Sequence, residues 1–199
     1  MGETNLYQPL TREDKISVIV YRAGIVMSSL IISVFAYMLF NVHRNSMAGS
    51  MKFNIFLVLL YISIGLSVFF IHLYVSSFHR GLKKLYYVSV AALMTLFIIG
   101  NGDAFGIIVN RPYGPLLLLP VSGCLGFITA KEAFCFKLIE GYILALLMPL
   151  YLLLLSAGIL TSNGASYGFV LIAIMLVIFT LRKVFMPLHY DIGDKSAYT

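Results

Sequence analysis

The sequence predicts an all-α fold: a polytopic transmembrane helix bundle of about six spans with both termini cytoplasmic. Three observations predict it. Hydrophobic residues make up 60% of the 199 residues and charged residues 11%, against roughly 45–50% and 25% in soluble domains. So few charges cannot cover a water-facing surface. The apolar residues gather into stretches close to the roughly 20 residues needed to cross about 30 Å of hydrocarbon. Finally, 11 of the 14 Lys and Arg fall on alternate sides of those stretches.

Taken in order, the stretches cover residues 19–40, 53–75, 85–100, 114–130, 138–160 and 167–185. The chain reads as a single transmembrane domain over 1–199, with a short cytoplasmic N-terminal segment 1–15 and a C-terminal tail 187–199. The start is too charged (Glu3, Arg12, Glu13, Asp14, Lys15) for a cleavable signal peptide, and the following apolar run is too long for one. Leu6 stands where myristoylation needs Ser or Thr. The third stretch has 16 residues and the fourth 17, the former only about 24 Å as a helix. Between them lies Asn101-Gly102-Asp103-Ala104-Phe105-Gly106, then Ile107-Ile108-Val109. The simpler expectation is an extension of the third helix. The alternative is a re-entrant or interfacial segment, tolerated at depth where protein covers it.

Orientation follows from the basic residues. One side receives Arg12, Lys15, Arg22, Arg80, Lys83, Lys84, Lys131, Lys137, Arg182, Lys183 and Lys195; the other receives Arg44, Lys52 and Arg111. The positive-inside rule places the richer side, with both termini, in the cytoplasm. These residues read as topology signals and headgroup contacts, worth about 1 kcal/mol each at an anionic leaflet. No basic helix interleaved with aromatics suggests nucleic acid, despite the net charge of +6. Trp is absent, so Tyr21, Tyr37, Tyr74, Tyr86, Tyr113, Tyr142 and Tyr167 are expected to form the aromatic belt. Tyr61 and Tyr151 lie deeper, where their hydroxyls need acceptors from other helices.

Association in lipid rests on close packing and a few hydrogen bonds. Small residues mark the close approaches: Ser28, Ser29 and Ser33; Ser63, Gly65 and Ser67; Ser122, Gly123, Cys124 and Gly126. Gly102 with Gly106, and Gly164 with Gly168, have small-xxx-small spacing. Pro120 and Pro149 fall inside expected helices and should kink them.

Chemistry is harder to find. The residues expected near midplanes (Ser29, Ser63, Ser67, Thr95, Ser122, Pro149, Met175) are not ionisable, which argues against a proton relay or ion-coupled transporter. His72 and His79 are expected on one face of the second helix, near its cytoplasmic end. His72 has no facing histidine for a haem, so a snorkelling interfacial role is expected. Cys124 and Cys135 offer no disulfide framework or zinc spacing. His189, Asp191 and Asp194 in the tail make a poor metal site without supporting contacts. Two polar clusters are the candidate sites. On the outer side stand Asp103 and Arg111, with Asn101 and Asn110. On the inner side a turn over 130–137 carries Lys131, Glu132 and Lys137 and leads to Glu140, with Lys137 and Glu140 spaced to pair. That turn reads as a charge-neutralised helical hairpin or as a docking surface. No catalytic residue, cofactor or metal is predicted.

The stretch Gly126-Phe127-Ile128-Thr129-Ala130-Lys131-Glu132-Ala133-Phe134-Cys135-Phe136, with Met148-Pro149-Leu150 and the ending Pro187-Leu188-His189-Tyr190-Asp191-Ile192-Gly193-Asp194-Lys195, resembles a family of prokaryotic integral membrane proteins, a domain of unknown function. The resemblance implies a bacterial inner-membrane protein and carries no activity onto any residue. The function expected from the residues is non-catalytic: an accessory, scaffold or assembly subunit held in the bilayer against other membrane protein subunits. The alternative is a small-solute or ion permease or channel using the proline-bearing helices and the Asp103–Arg111 region. A third reading, an intramembrane cofactor protein or enzyme, requires Cys124, Cys135, His72 and Glu140 to converge on one pocket.

Overall fold

The computed structural model describes residues 11–42, 50–73 and 75–191. His43, Arg44, Tyr74, Asp194 and Lys195, the first ten residues and the tail beyond Asp191 lie outside the described residues, as does the side chain of His189.

Helix α1 (Arg12–Val42) starts where Thr11 and Asp14 close a capping box. The Thr11 N–H donates to Asp14 Oδ2 (2.9 Å) and the Asp14 N–H to Thr11 Oγ1 (3.2 Å). The expected N-terminal segment is therefore helical from Arg12 onward. Helices α2 (Ser50–Phe70) and α3 (Ser76–Ile99) follow. The second span stops at Phe70, short of 75, and the third starts nine residues before 85. Ile71, Leu73 and Val75 keep the hydropathy high across this break, so composition alone hides it. His72 lies in the break and His79 on α3, so they do not share a face of one helix. Arg80, Lys83 and Lys84 occupy the first turns of α3, where long stems carry charge toward the surface.

The third helix is not extended. Asn101 turns left-handed (φ 47°), its N–H bonds the Ile98 carbonyl and that of Gly102 bonds Phe97, closing a Schellman stop. A separate short helix α4 (Ala104–Asn110) follows, then a 3-10 turn over Pro115–Leu118. Helix α5 (Leu119–Phe136) takes Pro120 in its first turn, where the missing N–H costs no hydrogen bond. Pro120 thus starts a helix instead of kinking one. Helix α6 (Ile139–Ser156) does hold Pro149 in its interior, which frees the Ala145 carbonyl. Gly126 of α5 packs there: a Cβ on it would lie 3.3 Å from that oxygen. A second Schellman stop at Gly158 (φ 67°) ends α6. Helix α7 (Ser162–Val184) opens on Thr161, whose hydroxyl caps the Gly164 N–H at 3.2 Å. A 3-10 turn over Leu188–Asp191 completes the described chain.

Six of these helices are long and apolar enough to cross a membrane. The starts of α1, α3 and α6 meet the ends of α2, α5 and α7 at one end of the bundle, as the pairs Ser17–His72, His79–Val68, Tyr21–Glu132 and Arg182–Glu140 record. We call this the terminal end. At the opposite end Phe53 and Phe105 stack at 4.0 Å and Phe35 sits 5.4 Å from Phe53.

Helices α1 and α2 approach closely, as α5 and α6 do where a Cβ on Gly141 would lie 2.5 Å from the Thr129 carbonyl. A Cβ on Gly24 would come within 2.6 Å of the Ser63 carbonyl. Ser28 and Ser63 share a hydroxyl contact of 2.8 Å, and Ser67 donates to the Tyr21 carbonyl at 3.1 Å. The expected seam of serines is thus an α1–α2 interface. Of the small-xxx-small glycines, Gly102 serves a turn with φ 92°, whereas Gly168 packs on the Tyr151 ring.

Candidate functional site

At the terminal end, charged side chains are gathered inside the bundle. Helix α5 carries Lys131 and Glu132 about one turn before its end, α7 carries Lys183, α1 carries Arg22, and the closing 3-10 turn carries Asp191. Arg22 and Asp191 retain 7% and 5% of their surface, and Glu132 and Lys183 none. Placing such groups away from water without partners costs several kcal/mol each, so their pairing decides whether the end is stable.

The five residues alternate in sign along a line. Lys131 Nζ contacts Glu132 Oε1 at 2.7 Å. Glu132 Oε2 forms an ion contact with Lys183, and Lys183 pairs in turn with Asp191 Oδ1. Asp191 Oδ2 accepts from Arg22 Nε at 2.6 Å. Tyr21 donates its hydroxyl to Glu132 Oε1 at 2.6 Å. Arg22 also donates to the carbonyls of Val184 (3.1 Å), Met186 (2.5 Å) and Pro187 (3.0 Å). The Val184 carbonyl is one of those left without a helical partner where α7 stops, and the other two belong to the segment just beyond it. Lys183 lies 3.9 Å from the Phe136 ring centroid and Lys131 5.6 Å from that of Tyr21. Three helices and the end of the described chain are thereby tied by one polar line.

This revises several expectations. The inner turn over 130–137 is mostly the last turns of α5; only Lys137, left-handed at φ 55°, lies beyond it. Lys137 is exposed and does not pair with Glu140, which takes a bidentate contact from Arg182 at 2.7 and 2.8 Å. Helix α6 starts only at Ile139, so Lys137 and Glu140 share no helix face. Arg22, Lys131 and Lys183 are internal ion-pair members, not headgroup contacts. Tyr21, expected in the belt, is buried against Glu132.

The outer candidates divide. Asp103 caps the α4 Gly106 N–H at 3.0 Å, and Asn54 of α2 clamps the same turn by donating to the Gly102 carbonyl (3.0 Å) and accepting from the Phe105 N–H (2.9 Å). Asp103 serves this turn, whereas Arg111 is exposed beyond α4. Tyr151 finds its acceptor in the Ala165 carbonyl at 2.9 Å; the Tyr61 hydroxyl is buried without a hydrogen-bond partner among the described residues. Cys124 and Cys135 sit 11 residues apart on α5, or about 16 Å, Glu140 faces Arg182 and His72 faces Ser17. The four residues of the cofactor reading do not converge. Among the described residues no His, Cys, Asp and Glu group has the size of a metal site.

Two cavities among the described residues bear on function. One, of about 100 Å³ between α1, α2, α5, α6 and α7, is walled by aliphatic and aromatic side chains such as Leu57, Met148 and Phe169. The other, a cleft of about 370 Å³, opens at the α2–α3 break beside His72. Burial first, and the Lys131 ammonium second, hold the His72 imidazole below its ordinary pKa.

Six apolar helices closed at one end by internally paired charges define a polytopic integral membrane protein. The chain belongs to the family described as "Uncharacterized integral membrane protein (DUF2301)", which matches over residues 66–199. It is also similar to an uncharacterized protein of Haemophilus influenzae (strain ATCC 51907 / DSM 11121 / KW20 / Rd), 24% identical over 200 residues that span 100% of this chain and 99% of the other. No solved structure matches.

Proposed function

We propose that this is a non-catalytic accessory or assembly subunit of the bacterial inner membrane, with both termini cytoplasmic, acting by packing against other membrane proteins. The observation that carries the reading is the disposition of charge: Glu132, Lys183, Asp191 and Arg22 are engaged with one another at one end, and the mid-bundle cavity is apolar. Nothing in that arrangement supplies a titrating group to a passage. Helices α3 and α6 are the natural faces for partners, because they are the least buried of the six long helices and leave Met94 and Ile98, and Ile139 and Leu146, exposed. The bacterial relative and the 11-to-3 bias of basic residues support the membrane and the orientation. The test is purification of tagged protein from a mild detergent extract. Stoichiometric co-purification of a membrane complex is expected; recovery solely as a lone monomer would overturn the reading.

The cavity beside the Pro149-bearing helix favours a second reading, a permease for a small apolar solute. Flux of such a solute into proteoliposomes, abolished by filling the cavity with Leu57→Phe, would favour it over the first.

A further inference from the structure

Helices α1, α2, α5, α6 and α7 close a ring: α1 packs on α2 and α7, α6 on α5 and α7, and α2 on α5, with α3 outside against α2 and α5. The apolar cavity of about 100 Å³ lies on the axis of this ring, since each of these helices lines it, through Ile32, Leu57, Val121, Met148 and Ile172. No polar atom faces the space. The hydroxyl-bearing side chains in its wall are engaged elsewhere: Ser122 donates to the Leu119 carbonyl at 2.8 Å and Tyr151 to that of Ala165 at 2.9 Å. A water needs roughly two to four hydrogen-bond partners and would find none here, so the space suits only apolar matter.

Both axial ends of the cavity are shut. On α1 Phe35 stands one turn beyond Ile32, and on α2 Phe53 stands one turn before Leu57, both toward the end opposite the terminal one. Phe35 lies 5.4 Å from Phe53, 6.4 Å from Phe105 and 6.4 Å from Phe169, which itself lines the cavity. Helix α4 fixes this aromatic lid, because its Phe105 stacks on Phe53 while Asn54 clamps the turn before it. Toward the terminal end, Ile128 follows Leu125, Leu144 precedes Met148 and Leu176 follows Ile172, each by about one turn. None of Ile128, Leu144 and Leu176 keeps exposed surface. The cavity is thus a chamber closed along the bundle axis.

We propose that this chamber is a binding site for a compact, free apolar molecule of about four carbons. An apolar protein cavity of about 150 Å³ holds benzene, and the same packing gives that size for about 100 Å³. Lipid tails are as apolar as the chamber wall, so hydrophobicity alone does not draw a molecule out of the bilayer. Selection comes from fit. A molecule of the right size meets wall atoms on every side and gains the dispersion contacts that an empty space forfeits. A larger ring is excluded, because close-packed helices yield little. The site uses the cavity of the permease reading but requires only capture, not transport.

The test places full-length protein in lipid nanodiscs under xenon, a compact apolar probe, and follows it by xenon NMR against empty nanodiscs. A bound resonance apart from the lipid signal is expected, saturating near one xenon per chain. Leu57→Phe fills the chamber and should abolish it, while Leu146→Phe, on the exposed face of α6, leaves it unchanged. If Leu57→Phe does not fold, Val121→Leu, one methylene larger, takes its place. Isobutane should displace xenon from the wild type, and benzene should do so only after Leu125→Ala enlarges the chamber. Benzene displacing xenon from the wild type as readily as isobutane overturns the size assignment. Absence of a bound resonance, or one undiminished in the filling variant, overturns the site. A lipid retained by the detergent-purified wild type in native mass spectrometry, and lost from Leu57→Phe, assigns the space to a chain end and overturns the free molecule. Binding without flux removes the permease reading and leaves this one standing; flux without the bound resonance does the reverse.

Discussion

The two ends of the bundle are fastened by different chemistry. At the terminal end, α1, α5, α7 and the closing turn are joined by five charged side chains and Tyr21, most of them buried. At the opposite end, α1, α2 and α4 meet through the rings of Phe35, Phe53 and Phe105, the last two stacked, and through neutral amide contacts of Asn54. Stacked rings lose their contacts singly, and the remainder repacks. A buried charge cannot be relieved that way, because removing one member strands its neighbours. The terminal end should therefore respond to substitution as a unit and the opposite end in increments.

The largest expected effect comes from breaking the line at its centre. Lys183→Met leaves Glu132 and Asp191 buried with only their flanking cations, and should lower stability by about 3–5 kcal/mol, read by unfolding in mixed micelles. At the opposite end Phe105→Leu keeps an apolar side chain but removes the stack on Phe53, and should cost about 0.5–1.5 kcal/mol. Smaller still is Arg182→Gln. It breaks the contact to Glu140, but Arg182 is 54% exposed, so the loss should stay below about 1 kcal/mol. If Arg182→Gln cost as much as Lys183→Met, burial would not be what separates the two kinds of ion pair.

The last prediction concerns pH. His72 has a lower proton affinity in the folded protein than in the unfolded chain, through burial and then Lys131. As pH falls through the ordinary histidine value of about 6.5, the unfolded chain takes up the proton first and folded stability declines. Above that value the contribution is fully present. His72→Gln should flatten the part of the stability profile between about pH 7 and 5, measured by unfolding across that window.

Much of the fold was legible because lipid imposes long apolar runs and a charge bias, and both are local counts. The helix ends were less so. Asn101-Gly102 and Ala157-Gly158 each form a left-handed stop, and glycine after an apolar run is a readable signal for one. The α2–α3 break was not readable, since its residues are as apolar as the helices they separate. The charge line lies further from view. Tyr21 and Glu132 are 111 residues apart and Arg22 and Asp191 169, so no spacing rule connects them. One clue was present: Arg22 stands three residues inside the expected first span, and an arginine there needs a partner. Counting it as a topology signal obscured that demand. Lys131 and Glu132 were recognised as a polar cluster, but as a hairpin loop; the extra turns of α5 bring them into the interior.

The most direct test of the account is a double-mutant cycle between Glu132→Gln and Lys183→Met, with unfolding free energies measured for the wild type, both single variants and the pair. A buried line acting as a unit predicts that the double variant is more stable than the sum of the two losses implies, by about 1.5 kcal/mol or more. Losses that add within about 0.5 kcal/mol would show that the two residues act independently, and would contradict the claim that one connected charge line holds this end of the bundle together.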